Sequence, residues 1–178
     1  PMLKVGPQLA EQARRHRGLS AGEARKAAIS LLGRTGIPDP EDRYNHYPHE
    51  MSGGMLQRVM IALALAAQPK VLIADEPTTA LDATVQAQIL ALLRDIQQRE
   101  RITIILITHD IGAVAAAADR VVVLYAGRVC EEGPVRLVLT DPVHPYTRGL
   151  LASVPDFRAE RGKATAEIPG LPPDQSRL

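Results

Sequence analysis

Val71-Leu72-Ile73-Ala74-Asp75-Glu76 is the stretch that decides the reading of this chain. An unbroken apolar run of this length fits a strand covered on both faces, and two carboxylates close it. A carboxylate at the C-terminal end of a parallel strand lies where open α/β sheets bind their ligands. There the first acid can hold Mg²⁺ through water, and the second can polarise an attacking water. Taken alone, the string also fits two solvated acids before the turn that Pro77 reinforces.

Downstream, residues 84–98 are helical, with Val85, Ile89, Leu92, Leu93 and Ile96 on one face. Residues 102–107 read as a second buried strand, followed directly by Thr108-His109-Asp110 and a small-residue helix over 111–118. Residues 121–125 and 128–132 form a hairpin around Ala126-Gly127. This alternation predicts a parallel α/β sheet from Val71 to about Tyr125. Upstream, Ser52-Gly53-Gly54 opens a helix that runs to about Ala67 and stops at Gln68-Pro69. Earlier still, Ser20 and Glu23 make a capping box ahead of Ala24, Ala27, Ala28, Leu31 and Leu32 at helical spacing. Gly36 ends that helix, Pro38 and Pro40 forbid its continuation, and residues 39–50 read as a loop. After Leu139 prolines break up the chain, leaving one short helix over 146–153 and a polar, Pro-rich end from Ala159 that reads as a linker or peripheral arm.

Composition narrows the function classes. The 178 residues carry 21 Lys plus Arg against 20 Asp plus Glu, so charge favours neither nucleic acid nor lipid. At 46% hydrophobic residues the chain can build a core, which excludes disorder throughout. Aromatic content of 3% argues against base-stacking platforms. The single Cys130 excludes a disulfide framework and a multi-cysteine zinc site. Apolar runs such as 59–67 are about half the roughly 20 residues that span a bilayer.

Beyond Val71–Glu76, three more features carry chemistry. Ser52-Gly53-Gly54-Met55-Leu56-Gln57-Arg58 places a hydroxyl and two glycines at a helix N-terminus, where free N–H groups and the macrodipole favour an anion. An ordinary Ser N-cap explains the same string. His109 after a strand suits a phosphate or an attacking water, and also suits an incidental polar cap. Asp82, after Thr78-Thr79-Ala80-Leu81, is by itself a helix N-terminal acid.

In order and spacing, these four features together resemble the ATP-binding-cassette (ABC) ATPases. Ser52 to Gln57 is similar to the signature motif, with Met51 where Leu is usual and Leu56 where Arg or Lys is frequent. Val71 to Glu76 resembles Walker B with its adjoining glutamate, Ala80-Leu81-Asp82 the D-loop, and Thr108-His109-Asp110 the switch histidine. The likeness covers about Pro48 to Gly133. The stretch from Asp141 to Leu151 and Ile168-Pro169-Gly170 resemble the C-terminal extension of the oligopeptide, dipeptide and nickel importer ATPases. The cysteine-rich stretch that often follows in that family is not found before Leu178, so no cluster-binding role is expected of the tail.

The resemblance implies a P-loop NTPase-type α/β fold. It would comprise a helical subdomain with the signature motif (1–68), a RecA-like part (69–139) and an importer-family extension (140–178). It implies ATP and Mg²⁺ as cofactors. Ser52, Gly53, Gly54 and Gln57 would contact ATP on a partner's P-loop, with Asp82 at the dimer seam. Asp75 would serve Mg²⁺, Glu76 the attacking water and His109 the γ-phosphate. The implied partners are permease subunits, a second ATPase subunit (identical or a paralogue) and, indirectly, a substrate-binding protein, at the cytoplasmic face of the membrane and with no nucleic acid.

A P-loop needs Gly, four residues, then Gly-Lys and Ser or Thr. The one Gly-Lys pair, Gly162-Lys163, has Phe157 where the first glycine belongs and Ala164 after it. The opening Pro1-Met2-Leu3-Lys4-Val5-Gly6 resembles the segment after the glutamine loop of peptide importers. The expectation is therefore a partial cassette, inactive alone, with open sheet edges and an apolar face. Two rivals remain: a module that completes a partner's ATP site without catalysis, and a non-transport ABC ATPase, against which the importer-like tail argues.

Overall fold

The computed structural model describes residues 2–153, which form two compact units divided between Ile107 and Thr108. The Ile168-Pro169-Gly170 element and the polar end lie outside the described residues.

The first unit begins with α1 (Val5–Arg17) and α2 (Ala21–Arg34). Val5, Leu9, Ala10 and Ala13 of α1 are buried, as are Ala24, Ala28, Leu31 and Leu32 of α2, so small residues let the two helices approach. Lys4 gives α1 no side-chain cap. Its first N–H groups are satisfied from a distant loop, Val5 donating to the His46 carbonyl and Gly6 to that of Tyr44, both at 2.9 Å. The same loop explains Gly6, where a Cβ would overlap the Tyr44 ring. The capping box of α2 forms as expected: the Glu23 N–H donates to Ser20 Oγ and the Ser20 N–H to Glu23 Oε2. At the far end Gly36, at φ +75°, lets Ile37 N–H return to the Leu32 carbonyl and Gly36 N–H to that of Gly33.

Residues 39–50 are more ordered than the loop reading. They hold α3 (Pro40–Arg43) and a 3₁₀ turn over Pro48–Glu50, both opened by prolines already set for helical φ. Then come α4 (Gly53–Leu65), β1 (Val71–Asp75), α5 (Ala83–Glu100) and β2 (Thr103–Ile107). The strands pair in parallel, Val71 opposite Thr103 through Asp75 opposite Ile107.

Here the sequence expectation needs correcting. Each strand is covered on one face, not two. Leu72, Ala74 and Ile104 join the helical core with Val59, Ile89 and Leu93. The alternate residues Val71, Ile73, Ile105 and Ile107 are exposed, Ile73 to 63%. A continuous apolar run cannot reveal which face has a cover, because it reads alike in both cases.

The second unit contains α6 (Ile111–Ala117), β3 (Arg120–Tyr125), β4 (Arg128–Pro134), α7 (Val135–Thr140) and α8 (Pro145–Ala152). β3 does not extend the parallel sheet: it pairs antiparallel with β4 in a separate one. The two-residue turn has φ +51° at Ala126 and +74° at Gly127, the handedness that matches strand twist. α7 was not anticipated; it buries Val135 and Val138.

The His144-Pro145-Tyr146 segment is anchored by Glu131 of β4. Its carboxylate accepts from the Val143 N–H at 2.8 Å and the His144 N–H at 3.1 Å. His144 Nδ1 in turn accepts from the Tyr146 N–H and caps α8, and the Tyr146 ring lies 4.4 Å from that of Tyr125. The nearby Thr147 hydroxyl, buried and without a hydrogen bond of good geometry, contributes most to holding Glu131 below its ordinary pKa of 4.5, followed by the Val143 N–H. A depressed carboxylate stabilises the fold above its unfolded pKa, and that contribution is lost as pH falls through the folded value. The NMR amide signals of Val143 and His144 are therefore expected to titrate together below pH 4.5. Glu131→Gln should abolish that titration; an unchanged titration in the variant would assign it to another group.

Candidate functional site

Ser52 caps α4: its Oγ accepts from the Met55 N–H at 3.3 Å, and the Leu56 N–H reaches the Ser52 carbonyl. Among the described residues, the N–H groups of Gly53 and Gly54 have no such partner, as the first turn of a helix requires. Ser52 and Gly53 are exposed. The two glycines serve different ends. A Cβ on Gly53 would meet only Leu81, at an ordinary 3.6 Å, whereas one on Gly54 would lie 2.7 Å from Val85 Cγ1. Neither has a positive φ, so Gly54 is needed for close packing of α4 on α5.

That packing makes a cleft of about 360 Å³. Ser52, Gly53, Gly54 and Arg58 line one side, and Ala80, Leu81, Asp82 and Gln88 the other. The structure thus brings the glycine-opened helix end and the Asp82 turn together. Asp82 works as the N-cap of α5, one carboxylate oxygen accepting from the Thr84 and Val85 N–H groups at 3.0 Å each. Gln57 is half-buried and does not line the cleft.

Asp75 is exposed at the end of β1. Glu76, the next residue, sits at φ +47°, a left-handed conformation that costs a non-glycine residue roughly 1–3 kcal/mol. Its N–H donates to the Ile107 carbonyl at 2.9 Å, and its carboxylate accepts from Thr79 Oγ1 at 3.1 Å. The turn thus begins on a rigid strand pair and aims the carboxylate. Ala80 is also left-handed, at φ +62°. His109 belongs to the second unit, where it is exposed just ahead of α6, whose N-cap is Asp110.

Sequence reasoning gave no role to Arg58, Gln88 or Thr79. Arg58 stood inside the glycine-containing string, but nothing local says where a long cation on a helix will reach.

A parallel strand pair closing on Asp75-Glu76, beside a glycine-opened helix whose end faces the turn that leads to Asp82, is the arrangement expected of an ATP-binding cassette of the ABC class. Comparison with known proteins agrees: residues 3–79 match the ABC transporter family, and residues 130–178 match the oligopeptide/dipeptide transporter C-terminal region. The chain belongs to the oligopeptide/dipeptide branch of the ABC transporter ATP-binding proteins. It is 55% identical over 174 residues to the oligopeptide transport ATP-binding protein OppD of Bacillus subtilis, covering 98% of this chain and 49% of that protein. It is 52% identical over 174 residues to the dipeptide transport ATP-binding protein DppD of the same organism, covering 98% and 52%. Among solved structures, the dimeric bacterial ABC transporter cassette MJ0796 aligns with TM-score 0.65 at 33% identity, over 76% of this chain and 58% of that one. CbiO1 from Clostridium perfringens, part of the ABC transporter complex cbiONQ, aligns with TM-score 0.69 at 38% identity, over 78% and 53%. The chain spans about half the length of the curated relatives it matches.

Proposed function

We propose that this chain contributes the signature, Walker B, D-loop and switch-histidine elements of the ATP-hydrolysing subunit of a peptide importer. The observation that carries the reading is the cleft itself. It joins an exposed helix end with free N–H groups, a polarity suited to phosphate, to the Asp82 turn that follows Glu76. The names of the relatives support peptides as cargo, ahead of nickel.

The residues present fit ATP and Mg²⁺ in part. Gly53 leaves the α4 end open to an anion, and exposed Asp75 offers a hard oxygen ligand. The 178 residues contain no Gly-x4-Gly-Lys-Ser/Thr sequence, so the phosphate cradle must come from other residues. The open face of Val71, Ile73, Ile105 and Ile107 supports further cassette residues packing there.

Bound MgATP supplies the scissile phosphoanhydride bond and the metal charge that stabilises its cleavage. The chain's own residues supply the rest. Ser52 and the Gly53 and Gly54 N–H groups would orient a nucleotide held on a second subunit's P-loop, and Gln57, on the same helix though outside the cleft lining, would add a contact from that side. Asp75 would hold the metal, whose charge would stabilise the cleaved phosphate. Glu76, aimed by Thr79, accepts a proton from the attacking water, and His109 donates to the γ-phosphate. Asp82 lies at the seam between subunits. Of the three parts 1–68, 69–139 and 140–178, the first docks the permease and carries the signature motif, the second carries the Walker B, D-loop and switch-histidine residues, and the third is the importer-family extension. No helix among the described residues is long and apolar enough to cross a membrane. The subunit docks peripherally on its permease at the cytoplasmic face, and a substrate-binding protein delivers the cargo.

The test is ATP turnover by the subunit, with its P-loop segment present, reconstituted with its permease. Turnover stimulated by a peptide-loaded binding protein is expected. Turnover that ignores peptide would reject the importer assignment, and none at all would reject the ATPase. The 178 residues alone are expected to give no turnover above background.

A further inference from the structure

Arg58 makes contacts that tie together three helices. It projects from the second turn of α4. Its Nη1 donates to the Thr35 carbonyl at 3.0 Å, and its Nη2 to Gln88 Oε1 on α5 at 3.1 Å. The first bond reaches the end of α2. Thr35 is the C-cap residue there, fully buried, its own hydroxyl turned back to the Leu31 and Leu32 carbonyls. A guanidinium on a helix C-terminal carbonyl satisfies an orphan acceptor and complements the macrodipole. Gly36 leaves room for this: a Cβ there would stand 2.5 Å from Arg58 Nη1, besides being strained at φ +75°. The second bond crosses the cleft, whose lining includes both Arg58 and Gln88.

We propose that Arg58 is a positioning residue for the nucleotide cleft, setting the signature helix end against the Asp82 turn and linking both to the end of α2. The proposal rests on the ATPase reading above and deepens it. The two sides of the cleft come from separate helices, and each must meet the same nucleotide. Close packing of Gly54 on Val85 fixes their separation at one end. The Arg58–Gln88 bond fixes it about one turn further along α4. Without it α4 can rotate on α5 while α2 stays docked. The fork of the guanidinium suits this task, since two donors of fixed geometry serve two acceptors at once. A lysine ammonium presents no such fork.

The test uses the subunit with its P-loop segment and permease. Gln88 is exposed, so Gln88→Leu cuts the α5 arm and leaves the bond to Thr35 intact. Turnover at saturating MgATP is expected to fall about tenfold, the scale of a small misplacement of reacting groups. The KM for MgATP and the melting temperature should stay at their wild-type values, because the P-loop and the α2 cap are untouched. Gln88→Glu keeps an acceptor for Arg58 and should recover part of the turnover lost in Gln88→Leu; Arg58→Lys, which gives up the fork, should lower turnover at least as far as Gln88→Leu does. Unchanged turnover in Gln88→Leu overturns the proposal while the ATPase reading stands. So does a loss that tracks a lowered melting temperature, or an equal loss in Gln88→Glu. If the wild-type subunit does not hydrolyse ATP, the functional reading fails and the proposal with it.

Discussion

Glu76→Gln, made in the subunit with its phosphate-binding loop in place, is expected to lower ATP turnover by about 10²–10⁴-fold, the contribution of a positioned general base. The amide matches the carboxylate in size, so Thr79 Oγ1 keeps a carbonyl acceptor, and the Glu76 N–H bond to Ile107 is unaffected. What disappears is a group able to take a proton. ATP binding should survive, and the variant should accumulate as an ATP-bound dimer, visible as a shift in size on gel filtration with nucleotide. Normal hydrolysis by the variant would remove Glu76 from its assigned role. A second variant separates chemistry from aim. Thr79→Val removes the hydroxyl that orients the carboxylate and should cost turnover less than Glu76→Gln does.

Gly54→Ala is expected to have the second largest effect. Its Cβ would lie 2.7 Å from Val85 Cγ1, and Val85 is β-branched, with little rotamer freedom on α5. One helix must shift, at a cost of about 1–3 kcal/mol for overpacking. The shift opens the cleft between Ser52 and Asp82, so turnover should fall along with the melting temperature. Pairing Gly54→Ala with Val85→Ala removes the clashing methyl and should recover most of both losses. Gly53→Ala supplies the contrast. Its Cβ would meet Leu81 at 3.6 Å, so stability should hold while access to the helix end narrows. If Gly54→Ala and Gly53→Ala lower the melting temperature equally, close packing is not the reason for Gly54.

The features legible in advance are those built from neighbours along the chain. Ser20 with Glu23, Ser52 and Asp82 cap helices through bonds spanning two or three residues, so their spacing announced them. The Ala126-Gly127 turn followed the same logic. The order of motifs exposed the family for a related reason: each motif is a short local device. His144-Pro145-Tyr146 was legible as a family mark, but its anchoring was not. Glu131 is 12 residues from Val143, and nothing in either stretch names the other.

By itself, then, the sequence determined the strands, the longer helices α2, α4 and α5 with their caps, and that the motifs belong to an ABC cassette. Tertiary structure decided that β1 and β2 are covered on one face, that β3 stays outside the parallel sheet, and that Gly54 is needed against Val85. It also decided that Arg58 reaches Thr35, 23 residues away, and Gln88, 30 residues away. The reason is physical: caps and turns are made within about one helical turn and depend on few residues. Covered faces and close approaches depend instead on which distant surfaces fold together.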